Sequence, residues 1–279
     1  MKKISFLILS ILAVLFTSSC SSISEELGTE NTEKVVTLDL QGDFTFEPFT
    51  RAAAGSDNCE DIFIFDYFDG SLTQVIHQHI GDANFGKPDM SLKFGKHDMY
   101  FVVSGGSEPT VNGNIITWKT IGDTFWCKAT TEVDMSSSSR LSVVLNRVVT
   151  MFKIRSIDSV PNNSKYVKIA PTTWYCGIDY TTGKHASVTH DKEFTYYPNN
   201  VGGATEIELY GFLNGEDLTT RINVYAWSTD NVISKLNQFT SVPFKTNRVT
   251  SMSCVMFTGS NNYQYSLDMN TNWLTELKM

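Results

Sequence analysis

The sequence predicts an all-β protein made of two β-sandwich domains in tandem, and three observations carry the prediction. Short apolar runs, several of them alternating, recur along the chain and are closed by Gly, Asn, Asp or Pro. Phe and Tyr, which favour strands, number 18 and 11. The serines Ser136-Ser137-Ser138-Ser139 make the clearest break in composition, which divides the body into domains at 35–137 and 138–279.

Residues 1–19 read as a targeting segment and stand outside the fold. Lys2-Lys3 is a positive start, and the run from Ile4 to Phe16 is apolar apart from two serines. It suits the hydrophobic region of a signal peptide and falls short of the ~20 apolar residues a membrane-spanning helix needs. Thr17-Ser18-Ser19-Cys20 then sets small residues before a thiol, the pattern of a bacterial lipoprotein signal, with Thr17 where leucine is commoner. On this reading Cys20 becomes the mature N-terminus and carries the acyl chains, because its thiol is the nucleophile that takes a diacylglyceryl group. The other reading is an ordinary secretory peptide with an incidental Cys20. Residues 20–34, rich in Ser, Glu, Thr and Asn, have almost nothing to bury and form a flexible spacer.

In the first domain Val35 to Leu40 alternates, and Phe44-Thr45-Phe46 resumes after a Gln41-Gly42-Asp43 turn. Glu60 to Asp66 encloses four consecutive apolar residues, which marks a central strand covered on both faces. Asp69-Gly70 is a turn signal, and Ser71 to Ile80 is the partner strand. Strands follow at 91–94 and 99–104, broken by Gly95 and Gly105-Gly106, and then at 115–118 and 124–129.

The second domain opens with a strand pair, Leu141 to Leu145 and Val148 to Ile154, running on to Ile157 and ended by Pro161-Asn162-Asn163. Further strands fall at 167–169, 173–180, 193–197, 207–212 and 222–227, at the spacing of a sandwich. Asp230 to Phe239 places Val232, Ile233, Leu236 and Phe239 at helical spacing behind a Ser228-Thr229-Asp230 cap, and predicts one helix. Arg248 to Phe257 and Tyr263 to Met269 close the chain as strands.

Without residues 1–19 the chain has 20 basic and 30 acidic side chains, a balance of −10 against −8 for the whole. So acidic a body argues against nucleic acid as a partner. Cys59, Cys127, Cys176 and Cys254 lie far apart and lack CxxC spacing, so zinc and redox motifs fail. Export permits disulfides, but the four also fit as small buried hydrophobes, the reading Cys254 favours inside an apolar strand. Their pairing stays open.

Catalytic motifs are missing: there is no GxSxG, P-loop, HExxH or glycine-rich nucleotide fingerprint. His77 and His79 share a strand face with Asp82 close behind, yet nothing nominates a third metal ligand, and an exposed polar face explains them equally. Asp61, Asp66 and Asp69 suggest calcium only as weakly as any Asp-rich turn does. Trp118, Trp126, Trp174 and Trp227 could stack sugars, but all four lie in strand runs, where core packing is the commoner role. The sequence therefore nominates no enzyme, metal or cofactor.

The segments DNCEDIFIFDYFDGSL, LKFGKHDMYFVVSGG, RLSVVLNRVVTMFKIRSID, NVYAWS and PFKTNRVTSMSCVMF resemble, over nearly the whole mature chain, the fimbrillin superfamily of anaerobic Gram-negative bacteria, and most of all its FimB-type minor subunits. The resemblance implies two transthyretin-like β-sandwich domains, a lipoprotein of the outer membrane exposed at the cell surface, and a fimbrial or adhesive subunit without a cofactor. It implies other fimbrial subunits as partners through strand complementation, the membrane as a partner through the lipid, and a host or bacterial surface ligand. In shaft subunits of the family an arginine-specific protease cuts after the first strand, which leaves and is replaced by a neighbour's.

The physical logic fits this chain. Losing Val35, Val36, Leu38, Leu40, Phe44 and Phe46 would open an apolar groove with two unpaired edges, and only another strand could satisfy it. Arg51, followed by Ala52-Ala53-Ala54 and a Gly-Ser-Asp loop, is the accessible bond at which to cut. The other reading keeps Arg51 as an ordinary loop residue and the first strand in place. The C-terminal segment from Trp273 to Met279 is short and apolar enough to be donated, or to finish the second sandwich. A second functional class also fits, a surface lipoprotein that binds glycan for carbohydrate uptake.

Overall fold

The computed structural model describes residues 33–42, 59–186, 193–259 and 265–270, and every regular element among them is a strand. In chain order these are β1 (Glu33–Gly42), β2 (Asp61–Phe68), β3 (Ser71–His79), β4 (Asp89–Lys93), β5 (Gly95–Gly106), β6 (Thr110–Asn112) and β7 (Ile115–Thr117). β8 (Ile121–Val133), β9 (Arg140–Arg147), β10 (Thr150–Ser156), β11 (Ser164–Pro171), β12 (Gly177–Asp179) and β13 (Lys184–His185) follow. The last six are β14 (Phe194–Tyr196), β15 (Glu206–Gly211), β16 (Asp217–Ser228), β17 (Ile233–Lys245), β18 (Val249–Cys254) and β19 (Tyr265–Asn270).

A seven-stranded sheet runs β3-β2-β5-β8-β9-β1-β4, antiparallel throughout except where β1 lies parallel to β9. The join between β8 and β9 is narrow, with only Phe125↔Arg147 and Trp126↔Asn146 paired. Side chains from both limbs of this sheet meet in one core: Val36, Leu38, Met90, Leu92, Val143 and Leu145 from one limb, and Ile62, Ile64, Met99, Phe101, Val103 and Phe125 from the other. A second core lies between the sheets β15-β10-β18-β19 and β14-β11-β16-β17, around Phe152, Val167, Ile169, Val224, Phe244 and Met252.

The four-stranded sheet β13-β12-β7-β6 draws strands from both halves of the chain and covers a third cluster, including Phe63, Phe65, Val102, Trp118, Tyr180 and Phe212. Here the uninterrupted apolar run of β2 finds its explanation. Ile62 and Ile64 enter the first core while Phe63 and Phe65 point the other way, Phe65 stacking on Tyr180 at 3.6 Å, so both faces are covered. The β2–β3 turn is Asp69-Gly70, whose φ angles of +49° and +74° are the left-handed pair that a two-residue hairpin requires.

Two expectations change. Residues 230–239 form no helix: β17 starts at Ile233 and pairs antiparallel with β16 over its length. The apolar residues at helical spacing misled because Val232, Ile233 and Leu236 face solvent, at 59%, 42% and 41% exposure, while Lys235, Asn237 and Phe239 turn inward with period two. The inward polar groups are satisfied, Lys235 Nζ by the Gly259 carbonyl and Asn237 Nδ2 by that of Val255. The expected pair of 141–145 with 148–154 also separates, since β9 joins β1 and β8 whereas β10 joins β15 and β18. Beyond β18 the chain is turned by Asp158, whose carboxylate accepts the main-chain N–H groups of Met256, Phe257 and Thr258 at 2.7, 2.8 and 2.7 Å.

Candidate strand-exchange site

β1 is held differently along its two halves. Glu33 to Thr37 pair antiparallel with Lys93 to Asp89 of β4, and Thr37 to Gly42 pair parallel with Arg140 to Leu145 of β9. The two ladders overlap only at Thr37. Its N–H donates to Ser139 O at 2.8 Å and its hydroxyl to Asp89 Oδ1 at 2.5 Å, while Leu38 N–H reaches Pro88 O at 3.1 Å.

Alternation sets the faces. Val36 and Leu38 are fully inside the first core, and Val35 is 60% exposed on the other face. Burying each of the two inward side chains contributes about 1.5–3 kcal/mol. Beside Val36 a cleft of about 320 Å³ opens between β4, β8 and β9, lined in part by Leu92, Val133, Arg140 and Leu141.

Sequence reasoning missed the latch on this strand. Lys34 Nζ donates to the carbonyls of Asp134 and Ser137 in the turn joining β8 to β9. That turn is organised by Asp134, whose Oδ1 accepts both the N–H and the hydroxyl of Ser136 and of Ser137. The hydroxyl bonds first, then the amides, hold its carboxyl well below the usual range, at about 2. The signal was the Asp-x-Ser-Ser pattern itself, a side-chain-closed turn hidden in what composition showed as a serine break.

Of the candidate site residues, Val35, Val36, Leu38 and Leu40 lie in β1, Leu40 opposite Val143 of β9. Cys20, Phe44, Phe46, Arg51, Ala52 and the segment 273–279 lie outside the described residues.

The other polar clusters resolve into internal pairs. Asp61, buried on β2, meets His77 Nε2 at 2.7 Å and His79 Nδ1 at 3.0 Å, and His77 stacks on Phe63 at 4.1 Å. Asp66 meets the buried His97 at 2.8 Å and accepts the Thr73 hydroxyl at 2.8 Å. Asp61 and Asp66 are therefore engaged separately, Asp69 stands in the β2–β3 turn, and among the described residues no three His, Cys, Asp or Glu side chains group as metal ligands would.

Cys59, Cys127, Cys176 and Cys254 are all free thiols inside the protein. Of Trp118, Trp126, Trp174 and Trp227, the first three serve the interior: the indole N–H of Trp118 donates to Ser104 Oγ at 3.2 Å, that of Trp126 to Tyr180 O at 2.7 Å and that of Trp174 to Tyr210 O at 2.7 Å. Trp227 instead lies on the outer face of β16, partly exposed.

No protein-family model matches the chain, and no curated protein matches its sequence. Solved structures are similar. A candidate adhesin from Bacteroides ovatus ATCC 8483 aligns with a TM-score of 0.51 at 9% identity, over 82% of this chain and 88% of that one. Another candidate adhesin from Bacteroides ovatus gives 0.50 at 12% identity, over 90% and 96%. The protein has the fold of these adhesins. The fimbrial anchor protein Mfa2 from Porphyromonas gingivalis aligns over 85% of this chain and 97% of its own, at 7% identity and a TM-score of 0.44.

Proposed function

We propose that this protein is a minor or anchor subunit of a cell-surface fimbria, fixed to the outer membrane through acylated Cys20 and joined to neighbouring subunits by β-strand complementation. One observation carries the reading: β1 is bonded to β4 along one half and to β9 along the other, so neither flank holds its full length. Its departure uncovers Met90, Leu92, Leu141, Val143 and Leu145 together with two unpaired strand edges. A strand from another subunit, with apolar residues at alternate positions, satisfies both needs at once. The adhesin fold and the sequence resemblance support the same reading, with the body built as two transthyretin-type sandwich domains around the first and second cores.

In this scheme Val36, Leu38 and Leu40 are the plugs of the first strand, Phe44 and Phe46 extend it, and a cut between Arg51 and Ala52 frees it. The uncut, acylated chain is the anchor and the cut chain is the polymerising form. Mass spectrometry of the protein from the cell surface separates them: an acylated peptide beginning at Cys20 marks the anchor, and an N-terminus at Ala52 marks the shaft form. Pull-down of neighbouring subunits is expected to fail on deletion of residues 35–46. Capture that survives this deletion, with neither N-terminus found, overturns the proposal.

A further inference from the structure

The aliphatic residues of β17 stand outside the second sandwich, and a β-bulge puts them there. Ala226 of β16 pairs with Lys235 and Trp227 with Ile233, which leaves Ser234 as the extra residue. The bulge sets Ile233 and Leu236, three apart, on one face, opposite the outward Trp227 and Tyr225. Lys235 and Asn237 turn inward in their stead. A strand reversed in this way exposes aliphatic surface and buries polar groups, which costs free energy on both faces unless the outer one is covered.

The same outer face continues across the sheet β14-β11-β16-β17. Tyr166 of β11 lies opposite Trp227 with ring centroids 5.5 Å apart, Lys168 lies opposite Tyr225, and Tyr197 meets the edge of Tyr166 at 6.0 Å. Tyr197 is 67% exposed, Ile233 42% and Leu236 41%. Two limbs result, with rings on the β11 side of β16 and aliphatic side chains on the β17 side. Exposed Tyr and Trp gathered on one face are the composition of a protein–protein contact.

Charge favours a second copy of this chain as what lies on it. The chain carries −8, so two copies repel each other as whole bodies. At this face the charges balance: Lys168 pairs with Glu193 at 2.6 Å, and Lys165 bonds Asn231 beside Asp230. The face is also complementary to itself. A two-fold axis lying along β16, between two such faces, sets the rings of each copy on the aliphatic limb of the other. Sheets stack in this aligned manner about 10 Å apart.

The neighbouring strand edge suits a partner less well. β17 is bulged against β16 at Thr220/Ile222 and at Ala226/Trp227, holds Ser241 at φ +61° and contains Pro243, all of which spoil the even register that strand addition needs.

We propose that two copies of this protein pair face to face through this sheet, with Tyr166, Tyr197 and Trp227 of one packed on Ile233 and Leu236 of the other. The contact involves the second core and leaves β1 untouched, so it does not rest on strand complementation and either proposal can fail without the other.

Sedimentation equilibrium of the mature chain tests it, with Cys20→Ser so that no acyl chain contributes. A face four strands wide is at the small end of specific interfaces, so a monomer–dimer equilibrium with a Kd of about 1–100 µM is expected. Leu236→Lys and Tyr197→Ala should each weaken the dimer by about tenfold or more. Both are expected to keep the parent melting temperature at low concentration, because both side chains are exposed in the single chain. Val144→Lys, at a 63% exposed position of β9, should leave the equilibrium unchanged. A chain still monomeric at ~500 µM, a dimer indifferent to both face variants, or one lost with Val144→Lys overturns the proposal. So does a chain that stays monomeric and captures a different subunit through Leu236 and Tyr197.

Discussion

Arg147 and Asp123 clamp the narrow join of the seven-stranded sheet with a two-pronged ion pair. Nε reaches Oδ1 and Nη2 reaches Oδ2, both at 2.7 Å, and each side chain is more than nine-tenths out of water. The guanidinium also lies 4.8 Å from the Phe125 ring, where β8 and β9 share only two residue pairs. Arg147→Ala strands a buried carboxylate and is expected to cost about 3–5 kcal/mol, read from urea denaturation. The double change Arg147→Met with Asp123→Leu should recover most of that loss, because no charge is then left unpaired.

Gly211 lies beneath Trp174. A Cβ built there would fall 2.3–2.4 Å from the indole, whose N–H donates to Tyr210 O at 2.7 Å. Gly211→Ala should therefore push the ring out of its place in the second core and destabilise by about 1–3 kcal/mol. Near-ultraviolet circular dichroism should change with it, and an unchanged spectrum with parental stability would show that the ring has room to move.

His79 gives a pH dependence of defined sign. Its hydrogen bond with Asp61 raises the imidazole pKa above the ordinary value, against a smaller opposing effect of desolvation. The contribution is thus complete below the unfolded-state pKa and disappears as pH rises through the folded one. The urea midpoint should fall slightly between about pH 6 and about pH 8, and His79→Gln should flatten that fall. The change is small because the ring is 55% exposed.

The thiols should be inert in the folded protein. Burial pushes Cys127 and Cys254 up to about 12, and raises Cys59 and Cys176 as well. A thiol-selective disulfide reagent at about pH 8 should label none of the four in buffer and all of them in urea. Adding a reductant should leave the denaturation midpoint where it was, and a lowered midpoint would reveal a disulfide.

Local signals made much of the fold legible. β2 carries four consecutive apolar residues, Ile62 to Phe65, because both its faces are covered there, and Asp69-Gly70 announces its hairpin in two residues. β1 was legible as an alternating strand, and of the residues read as filling its groove Val36 and Leu38 point inward whereas Val35 faces solvent. What stayed hidden depends on distant partners. No local pattern says that β1 runs parallel to β9, a hundred residues on, or that β10 repeats the arrangement with β18. β17 was misread because its aliphatic residues lie outside and its polar ones inside, so periodicity pointed at the wrong face. Trp227 was hidden for the related reason that a strand offers two faces and the sequence alone does not say which one meets water.

The staggered pairing of β1 also has a mechanical consequence. Its N-terminal end, at Glu33, is the end that faces the membrane tether in the proposed anchor. A pull from there runs along the strand axis, and the ladders to β4 and then to β9, set end to end along the strand, resist it in shear instead of unzipping one bond at a time. Lys34 sits at the first point of strain, latched across to the 134–137 turn. A subunit stretched between a membrane and a fibre under flow would thus grip its first strand against axial force, while the same strand stays free to leave by peeling sideways.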